Sequence, residues 1–264
     1  MRALEFKDFR ARRKLGQNFL LDKGVVRLEA GYARGKKAIE IGPGFGILTE
    51  ELCASAKRVL AVEKDHRLYS ALLDKHLDGN LNLVNSDFFK LDANATDGYD
   101  ILVANVPYNL SSKTLMWVAD RGIEAVLCLQ KEFVEHMTAQ AGSRKYSRLS
   151  VVTALTMNIE KIAEVGADSF YPKPRVDSIV VHITKRDFDL SSDDAGLISL
   201  IMEHKKKKLR NAVIDSSRKL GADREKLRKV SERLRMKDTR VFEMTPVEIL
   251  GSARELAAGL RSLE

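Results

Sequence analysis

Residues 37–50 read KAIEIGPGFGILTE, an apolar run followed by glycines at 42, 44 and 46 and then by residues of helical character. Glycine lets the backbone turn tightly and approach a bound ligand. A helix that starts directly after such a turn presents free backbone N–H groups to that ligand. The stretch therefore predicts a strand, a ligand-binding turn and a helix, which together form the first unit of an alternating α/β fold.

The same alternation continues over residues 37–185. The predicted strands are KAIEIG, RVLAVEKD, NLVNSD, DILVANV, AVLCLQ, IEKIAEV and SIVVHITK. Helix candidates lie between most of them: GILTEELCASA, HRLYSALLDKHL, SSKTLMWVADRG and a longer region over residues 131–157. Strands separated by helices of this size form right-handed crossovers in a largely parallel sheet that is covered on both faces. The predicted fold class is α/β.

The character of the chain changes after residue 185. RDFDLSSDDAG is a polar segment that we interpret as a linker, and the residues from 195 onward favour helices. We therefore predict an α/β domain over residues 1–185, in which residues 1–27 form a basic N-terminal arm. A small all-α domain is predicted over residues 186–264.

The composition is that of a soluble globular protein, with 264 residues of which 44% are hydrophobic and 31% charged. Its apolar runs are far shorter than the ~20 residues of a membrane helix, and no leader segment is evident, so we expect a cytoplasmic protein without a membrane partner. Cys53 and Cys128 lack the spacing of a zinc site, so no metal is expected and both are predicted core residues. No heptad stripe appears, and a monomer is expected.

Positive charge is concentrated in two segments. Residues 1–27 carry 8 Lys or Arg against 3 Asp or Glu, and residues 203–240 carry 15 against 6. Lysine and arginine that contact phosphates release condensed counterions, which supplies most non-specific affinity for nucleic acid. A single run would more often be a solvated helical face. Two separate runs favour RNA or DNA as the partner.

The first two strand ends carry residues suited to a nucleoside. Gly42 and Gly44 belong to the turn, but a dinucleotide fingerprint needs a further glycine at Ile47, which argues against a nicotinamide cofactor. Glu63 follows the turn by about 20 residues, the distance at which a carboxylate accepts both ribose hydroxyls. The alternative is an ordinary surface pair of Glu63 with Lys64. We include Lys64 in the predicted cofactor site.

Polar residues also end the next two predicted strands. Asp87, followed by Phe88, is placed to accept from an exocyclic amine of the base, although a strand-capping aspartate is an equal alternative. Asn105 ends the fourth strand. Ligands bind beyond the carboxyl ends of parallel strands, so these positions together indicate a nucleoside cofactor that lies across the sheet. No phosphate-binding motif is evident, and S-adenosylmethionine is the cofactor that has adenosine without a phosphate.

The segment NVPY, residues 105–108, suggests the chemistry, although asparagine and proline also commonly end strands in turns. An exocyclic base amine is a poor nucleophile because its lone pair is delocalised into the ring. If the Asn105 side-chain oxygen and a carbonyl near Val106 accept its hydrogens, the lone pair can point at a sulfonium methyl group. Pro107 fixes the turn, and Tyr108 offers a face on which the base can stack.

A base inside a duplex cannot reach such a pocket, so it is flipped out or taken from a single strand. A second aromatic clamp would then help. The segment DSFYPKPRVDS supplies Phe170 or Tyr171 in a loop stiffened by prolines. We favour Phe170 as the clamp, with a packed loop anchor as the alternative.

Segments spread along the chain together resemble the KsgA-type small-subunit ribosomal RNA adenine dimethyltransferases. They are RRKLGQNFL (residues 12–20), EIGPGFGILT, VEKD, NVPYNLSS, LQKEFVEHMTAQAGSRKYSRLSV, FYPKPRVDSIVV and HKKKKLRNAV (residues 204–213). The resemblance implies a Rossmann-like class I methyltransferase sheet and S-adenosylmethionine as cofactor. It also implies the reaction, which is the addition of two methyl groups to the exocyclic nitrogen of each of two neighbouring adenosines near the 3′ end of small-subunit rRNA.

Site residues follow from the same resemblance. The first motif of the family closes over the cofactor, which places Gln17, Asn18 and Leu20 beside the methionine part. The remaining cofactor positions fall on Gly42, Glu63, Asp87 and Asn105. Basic residues of the arm and of the C-terminal domain are expected to bind rRNA: Arg12, Arg13, Lys14, Lys205, Lys206, Lys207, Lys208 and Arg210. For the second group the alternative is a helix whose lysine stems cover apolar surface.

Two departures from the family are small. The family often has Gly-Asp where this chain has Ser86-Asp87, and leucine is commoner than Val106. Two further hypotheses stay open. One is a methyltransferase of large-subunit rRNA, of the kind that confers antibiotic resistance. The other is a non-catalytic RNA-binding assembly factor, which the intact NVPY segment and the acidic positions argue against.

Overall fold

The computed structural model describes residues 12, 16–75, 77, 79–188 and 190–262. The chain forms two compact units. The first contains the residues up to Phe133 together with Ile159–Lys185, and the second contains Val134–Asn158 together with the residues from Arg186. The helical segment within residues 134–158 therefore belongs to the second unit, not to a continuous domain over residues 1–185 as predicted.

The first unit contains a seven-stranded sheet, and all seven predicted strands occur in it. Their bounds are β2 Lys37–Ile41, β3 Arg58–Glu63, β4 Leu81–Asn85, β5 Ile101–Asn105, β6 Glu124–Gln130, β7 Met157–Val165 and β9 Ser178–Lys185. The spatial order is β4-β3-β2-β5-β6-β9-β7. Strands β2 to β6 pair in parallel, and β9 pairs antiparallel with β6. The predicted α/β class is confirmed.

Two very short strands were not predicted. β1, Phe19–Leu20, pairs antiparallel with β8, Phe170–Tyr171, so that Leu20 lies opposite Phe170. Two residues are too few to show an alternating pattern in the sequence, since strand periodicity needs four or more residues to be visible.

Helices connect the parallel strands of the first unit. They are α2 Ile47–Ser55, α3 His66–Leu73 and α4 Ser111–Arg121, whereas α1, Lys23–Gly31, precedes β2 and α5, Lys131–Met137, follows β6. Local capping fixes where they begin: Asp22 accepts from the backbone N–H groups of Gly24 and Val25, and Asp65 accepts from that of Arg67. These caps direct the chain from each strand end into the next helix.

The core of the first unit explains the apolar strands. The middle strands are buried on both faces, as near-continuous hydrophobic runs predict for a parallel sheet. Cys53 and Cys128 are buried in this core, which confirms their predicted packing role. Since β2, β3, β4 and β5 run in parallel, their carboxyl ends lie along one edge of the sheet.

The second unit is helical around its own core. Its helices are α6 Arg148–Thr156, α7 Ser192–Glu203, α8 Leu209–Asp215, α9 Ser217–Leu220, α10 Arg224–Arg233 and α11 Pro246–Arg261. Tyr146, Val151 and Leu155 pack in this core, and the Tyr146 hydroxyl donates to the Met244 carbonyl at 2.9 Å. This packing is the reason that residues 134–158 belong to the helical unit.

The predicted polar linker is partly helical. α7 begins at Ser192 because the Ser191 side chain accepts from the Asp194 backbone N–H, and Phe188 and Leu190 pack against the helical core. Asp194 also pairs with Arg254 at 2.8 Å. Within the part of the chain that the structure describes, no helix is long and apolar enough to cross a membrane.

Candidate active site

An open pocket lies at the carboxyl edge of the parallel strands. Its empty volume is about 870 Å³ with the solvent-filled mouth included, and such clefts beyond strand ends are the usual ligand sites of α/β sheets. The predicted cofactor residues that line it are Gln17, Asn18, Gly42, Gly44, Glu63, Lys64, Asp87, Phe88 and Asn105. Leu20 lines a smaller adjoining pocket and is 4% exposed.

The glycine turn is joined to the end of β3. Gly44 has φ of 60°, a backbone conformation that other residues rarely adopt. A Cβ at this position would also lie 2.7 Å from Cδ1 of Phe19, which is a steric clash. Its backbone N–H donates to Oε2 of Glu63 at 3.0 Å. The turn therefore approaches the pocket closely because residue 44 has no side chain.

Glu63 is a buried acceptor held by backbone groups. Its Oε1 accepts from the Asp65 backbone N–H at 2.7 Å, so each carboxyl oxygen has one fixed donor and a remaining lone pair. The side chain is nearly buried, and this burial raises the pKa of Glu63 above its usual range. The two backbone donors act in the opposite direction. The carboxyl group is thus rigidly placed at the pocket wall.

Asp87 is an ionised acceptor one strand further along the edge. Its Oδ1 accepts from the Phe89 backbone N–H at 3.1 Å, and its Oδ2 accepts from Nζ of Lys64 at 2.9 Å. The hydrogen bond from Lys64 holds the pKa of Asp87 below its usual range. Phe88 beside it is buried and packs edge-to-face on Trp117, with ring centroids 5.0 Å apart. Carboxylate and aromatic surface therefore meet at this end of the pocket.

The first motif, RRKLGQNFL at residues 12–20, contacts Asp65, which directly follows β3. The Gln17 side chain donates from Nε2 to Oδ2 of Asp65 at 3.3 Å, and its Oε1 accepts from the Arg12 backbone N–H at 2.7 Å. Hydrogen bonds from Arg67 lower the pKa of Asp65 to about 2. The Asn18 side chain donates to the Gly16 carbonyl at 3.4 Å. These contacts hold the motif beside the glycine turn.

Asn105 ends β5 with its amide in a defined orientation. Nδ2 donates to Oε2 of Glu29 at 3.3 Å, whereas Oδ1 is buried and accepts no hydrogen bond from any described residue. Glu29 lies on α1 and is fully buried, which raises its pKa to about 8. Sequence reasoning missed Glu29 because a charged residue in a short helix is usually exposed.

The rest of the NVPY segment surrounds this amide. Pro107 lines the pocket, and the Val106 side chain is buried. Tyr108 does not belong to the pocket lining; it is half-buried, and its hydroxyl lies 2.9 Å from Oγ of Ser178.

Phe170, the predicted aromatic clamp, lies on β8. Its side chain is only 6% exposed and packs in the core of the first unit, where β8 pairs with β1. A buried ring offers no face to a base. Adjacent residues of a strand point to opposite sides, and Tyr171 is half-buried, so Tyr171 is the less buried aromatic of this pair.

The predicted RNA-binding lysines are largely engaged with other groups. Lys207 pairs with Asp215 at 2.6 Å, and Lys208 and Arg210 pair with Asp238 at 3.3 and 3.1 Å. Lys205 donates to the Tyr146 carbonyl at 2.5 Å. Of this run only the Lys206 side chain has no ion-pair or hydrogen-bond partner among the described residues. Arg12 lies 3.9 Å from Asp65, and Arg13 and Lys14 lie outside the described residues.

Helix α10 carries further cations of the helical unit. It contains five basic residues and two acidic ones. Its Lys226, Arg228 and Arg233 have no ion-pair partner in the described part of the chain, and Arg228 and Arg233 are exposed. These three side chains are further candidates for contact with phosphate.

Several pocket residues were not predicted. They include Phe19, Leu68, Ser86, Phe89, Asn109, Leu110 and Lys113. Some had a local signal, since Phe19 lies within the first motif and Asn109 and Leu110 directly follow NVPY. Leu68 and Lys113 lie in the first turns of α3 and α4, which begin near the carboxyl ends of β3 and β5.

Comparison with known protein families gives one match over most of the chain. The family described as "Ribosomal RNA adenine dimethylase" matches residues 8–250. A "Probable ribosomal RNA small subunit methyltransferase A" from Methanopyrus kandleri is 36% identical over 96% of this chain and 93% of its own length. A protein with the same name from Thermococcus sibiricus is 34% identical over 89% and 88%, respectively.

Solved structures show the same architecture. A dimethyladenosine transferase from Plasmodium falciparum superposes with a TM-score of 0.77 at 25% identity, covering 91% of this chain and 98% of its own. The 23S rRNA methyltransferase ErmE superposes with a TM-score of 0.64 at 24% identity, covering 90% and 99%. The second likeness is one of fold alone.

Proposed function

We propose that this chain, which belongs to the ribosomal RNA adenine dimethylase family, is an S-adenosylmethionine-dependent methyltransferase that dimethylates adenosine in small-subunit rRNA. The finer part of the proposal is the target, which is N6 of each of two adjacent adenosines near the 3′ end. The observation that carries the chemistry is the Asn105 amide, whose unpartnered oxygen ends β5 beside the pocket.

The pocket residues fit the cofactor of this family. S-adenosylmethionine supplies an electrophilic methyl group to the site. Glu63 is proposed to accept hydrogen bonds from the ribose hydroxyls and Asp87 one from the adenine amine, since both carboxyl groups line the pocket and keep free lone pairs. Gln17 and Asn18 of the first motif, next to Gly44, would hold the methionine part. The orphaned amide oxygen of Asn105 marks the reacting end.

Asn105 acts on the target amine. Its Nδ2 faces Glu29, so Oδ1 is the atom left to accept a hydrogen of the amine. The backbone carbonyl of Val106 is proposed as the second acceptor. With both hydrogens held, the nitrogen lone pair is withdrawn from the ring and directed towards the methyl donor. Positioning then supplies most of the rate enhancement, and no strong general base is needed.

The target adenine has to leave its stack to reach Asn105. We propose that Tyr108, whose hydroxyl is fixed by Ser178, supplies one stacking surface. Tyr171 replaces Phe170 as the proposed second aromatic, because Phe170 is buried. Stacking on an aromatic ring contributes about 1–3 kcal/mol per base, enough to offset part of the unstacking cost.

The helical unit is proposed to bind rRNA through α10 and Lys206 rather than through the whole run Lys205 to Arg210. Ion-paired lysines release fewer counterions on binding phosphate, because their charge is already compensated. We further propose that the chain acts as a monomer on the precursor of the small ribosomal subunit in the cytoplasm. Light scattering of the purified protein tests the monomer.

The two competing functions are less well supported. The family relatives reported above bear names of small-subunit enzymes, whereas the likeness to the 23S rRNA methyltransferase is one of fold. A non-catalytic assembly factor would not need a buried amide with a free oxygen, because an unpaired buried acceptor destabilises the fold.

Transfer of labelled methyl groups to purified ribosomal particles tests the proposal. Undermethylated small subunits should receive about four methyl groups per particle, because two adenines each accept two under the proposed reaction. Fully methylated small subunits are the matched control and should receive none. Transfer to large-subunit RNA alone would support the resistance-type enzyme, and cofactor binding without transfer would support the assembly factor.

A further inference from the structure

Glu29 is a carboxyl group on the apolar face of a helix. α1 buries Val26, Glu29 and Ala30, and two of these three pack in the core of the first unit. Glu29 has no exposed surface. Glutamate is almost never fully buried unless it is paired, because removal of a carboxyl from water is unfavourable. A residue that only stabilised the fold at this position would be expected to be apolar.

Glu29 faces the amide of Asn105, which lies 76 residues later in the chain. Nδ2 of Asn105 donates to Oε2 of Glu29 at 3.3 Å, and Oε1 of Glu29 has no hydrogen-bond partner among the described residues. A side-chain amide has two donors on nitrogen and acceptors only on oxygen. The accepting carboxyl oxygen therefore selects the amide orientation in which nitrogen faces Glu29 and oxygen faces away.

That orientation determines whether Asn105 can accept a hydrogen bond from the amine of the target adenine. If the amide turned by 180°, Nδ2 would take the place of Oδ1 and would present a donor to the hydrogens of the amine. Such a geometry opposes the reaction, because two donors cannot form a hydrogen bond with each other. The other described groups near the amide do not fix it, since Oδ1 has no partner.

We propose that Glu29 is a positioning residue for methyl transfer, which turns the Asn105 oxygen towards the target amine by accepting a hydrogen bond from Nδ2. This proposal rests on the proposed function, since it assigns the orientation of the amide that the function requires. Burial raises the pKa of Glu29, as expected for a carboxyl kept dry at a functional site.

A swap of hydrogen-bond partners separates positioning from simple packing. Asn105→Asp places a second carboxyl against Glu29, so two acceptors face each other when both groups are ionised. Glu29→Gln in that background supplies an amide that donates to the carboxyl group introduced at position 105 and holds it with its second oxygen facing outward. In the otherwise unchanged protein, Glu29→Gln removes a carboxyl acceptor and should lower kcat. The sign of the effect of Glu29→Gln therefore reverses between the two backgrounds.

We expect Asn105→Asp to lower kcat by about tenfold or more at about pH 9, and Glu29→Gln to recover about fivefold of that loss, within the range of contacting pairs. Glu29→Leu, which has no acceptor, should lower kcat more than Glu29→Gln does, while the KM for rRNA stays within about threefold. A Glu29→Gln substitution that lowers kcat equally in both backgrounds would overturn the proposal.

A second measurement reports on the amide without methyl transfer. The side-chain amide resonance of Asn105, identified by its loss in Asn105→Asp, should show one proton protected from exchange by Glu29. Glu29→Leu should remove this protection, and an identical signal in both proteins would overturn the proposal. If the unmodified protein transferred no methyl group to small-subunit RNA, the proposed function would fail, and this measurement would still decide the role of Glu29.

Discussion

The backbone N–H of Gly44 donates to Oε2 of Glu63 across 3.0 Å, which joins the glycine turn after β2 to the end of β3. The other carboxyl oxygen of Glu63 accepts from Asp65. Two elements of the cofactor site are thus held by one side chain. A change at Glu63 should affect both the proposed acceptor for the ribose hydroxyls and the shape of the turn.

Glu63→Gln should weaken cofactor binding strongly. The new Nε2 would face a backbone N–H donor, and one of the two hydrogen bonds would be lost. We expect the Kd for S-adenosylmethionine to rise by about 10- to 100-fold, measured by isothermal titration calorimetry. Glu50→Gln, which alters an exposed ion pair with Lys75, is the control with unchanged affinity. A change within about twofold in Glu63→Gln would contradict the assigned role.

Asp87 should determine the preference for adenine in the cofactor. An analogue of S-adenosylmethionine that lacks the exocyclic amine cannot donate to Asp87. We expect the intact protein to bind it about tenfold more weakly than the natural cofactor, because one charge-assisted hydrogen bond is absent. Asp87→Ala should bind both compounds with equal affinity. A preference that survives this substitution would show that another group recognises the base.

The α10 cations should set the salt dependence of RNA binding. Simultaneous replacement of Lys226, Arg228 and Arg233 by alanine should reduce the magnitude of the slope of log K against log salt concentration by about 2. Each phosphate contact contributes about 0.7 to 0.9 to this slope. Replacement of the ion-paired Lys207 and Lys208 is the matched comparison and should change the slope by less than about 1. A larger change of slope on replacement of Lys207 and Lys208 would indicate that RNA binds at the run Lys205 to Arg210 instead.

Glu40 should make the stability of the protein fall as the pH rises. Burial raises its pKa from 4.5 to about 8, so between these values the unfolded chain has lost a proton that the folded chain retains. The free energy of unfolding therefore decreases over this window. Glu40→Gln removes the contribution, and we expect it to gain about 1–3 kcal/mol relative to the unchanged protein between about pH 5 and pH 8.5.

Denaturant unfolding at the two pH values measures this difference. Glu164→Gln, at an exposed position paired with Lys131, is the control and should behave as the unchanged protein does. A pH dependence that is identical in Glu40→Gln and in the unchanged protein would contradict the account of Glu40 as a buried neutral acid.

The strand ends of the pocket were predictable because they depend on local patterns. Short apolar runs define the parallel strands, and parallel strands bring Gly42, Glu63, Asp87 and Asn105 to one edge whatever the details of packing. The first motif had no such pattern around it. Gln17 was placed by resemblance, and its hydrogen bond to Asp65 joins residues far apart in sequence.

Other features of the site depend on tertiary contacts, which the sequence does not display. The choice between Phe170 and Tyr171 is a choice between the two faces of β8, and the pairing of Phe170 with Leu20 determines it. The lysines at 207 and 208 appear free in the sequence, but their partners Asp215 and Asp238 are brought near by folding.

The domain boundary has the same explanation. Residues 134–158 interrupt the α/β alternation without a change of composition, and only the packing of side chains such as Tyr146 shows that they belong to the helical unit. Glu29 also could not be identified, because its role depends on contact with Asn105 on another element.

The rate of methyl transfer in Asn105→Ala tests the central claim most directly. The measurement is a single turnover with labelled cofactor and undermethylated small subunits, accompanied by RNA affinity. We predict a fall in rate of about 100-fold or more, because the acceptor that orients the amine is lost, with RNA affinity within about threefold of the unchanged protein. A rate equal to that of the unchanged protein would contradict the claim that the Asn105 oxygen holds the target amine.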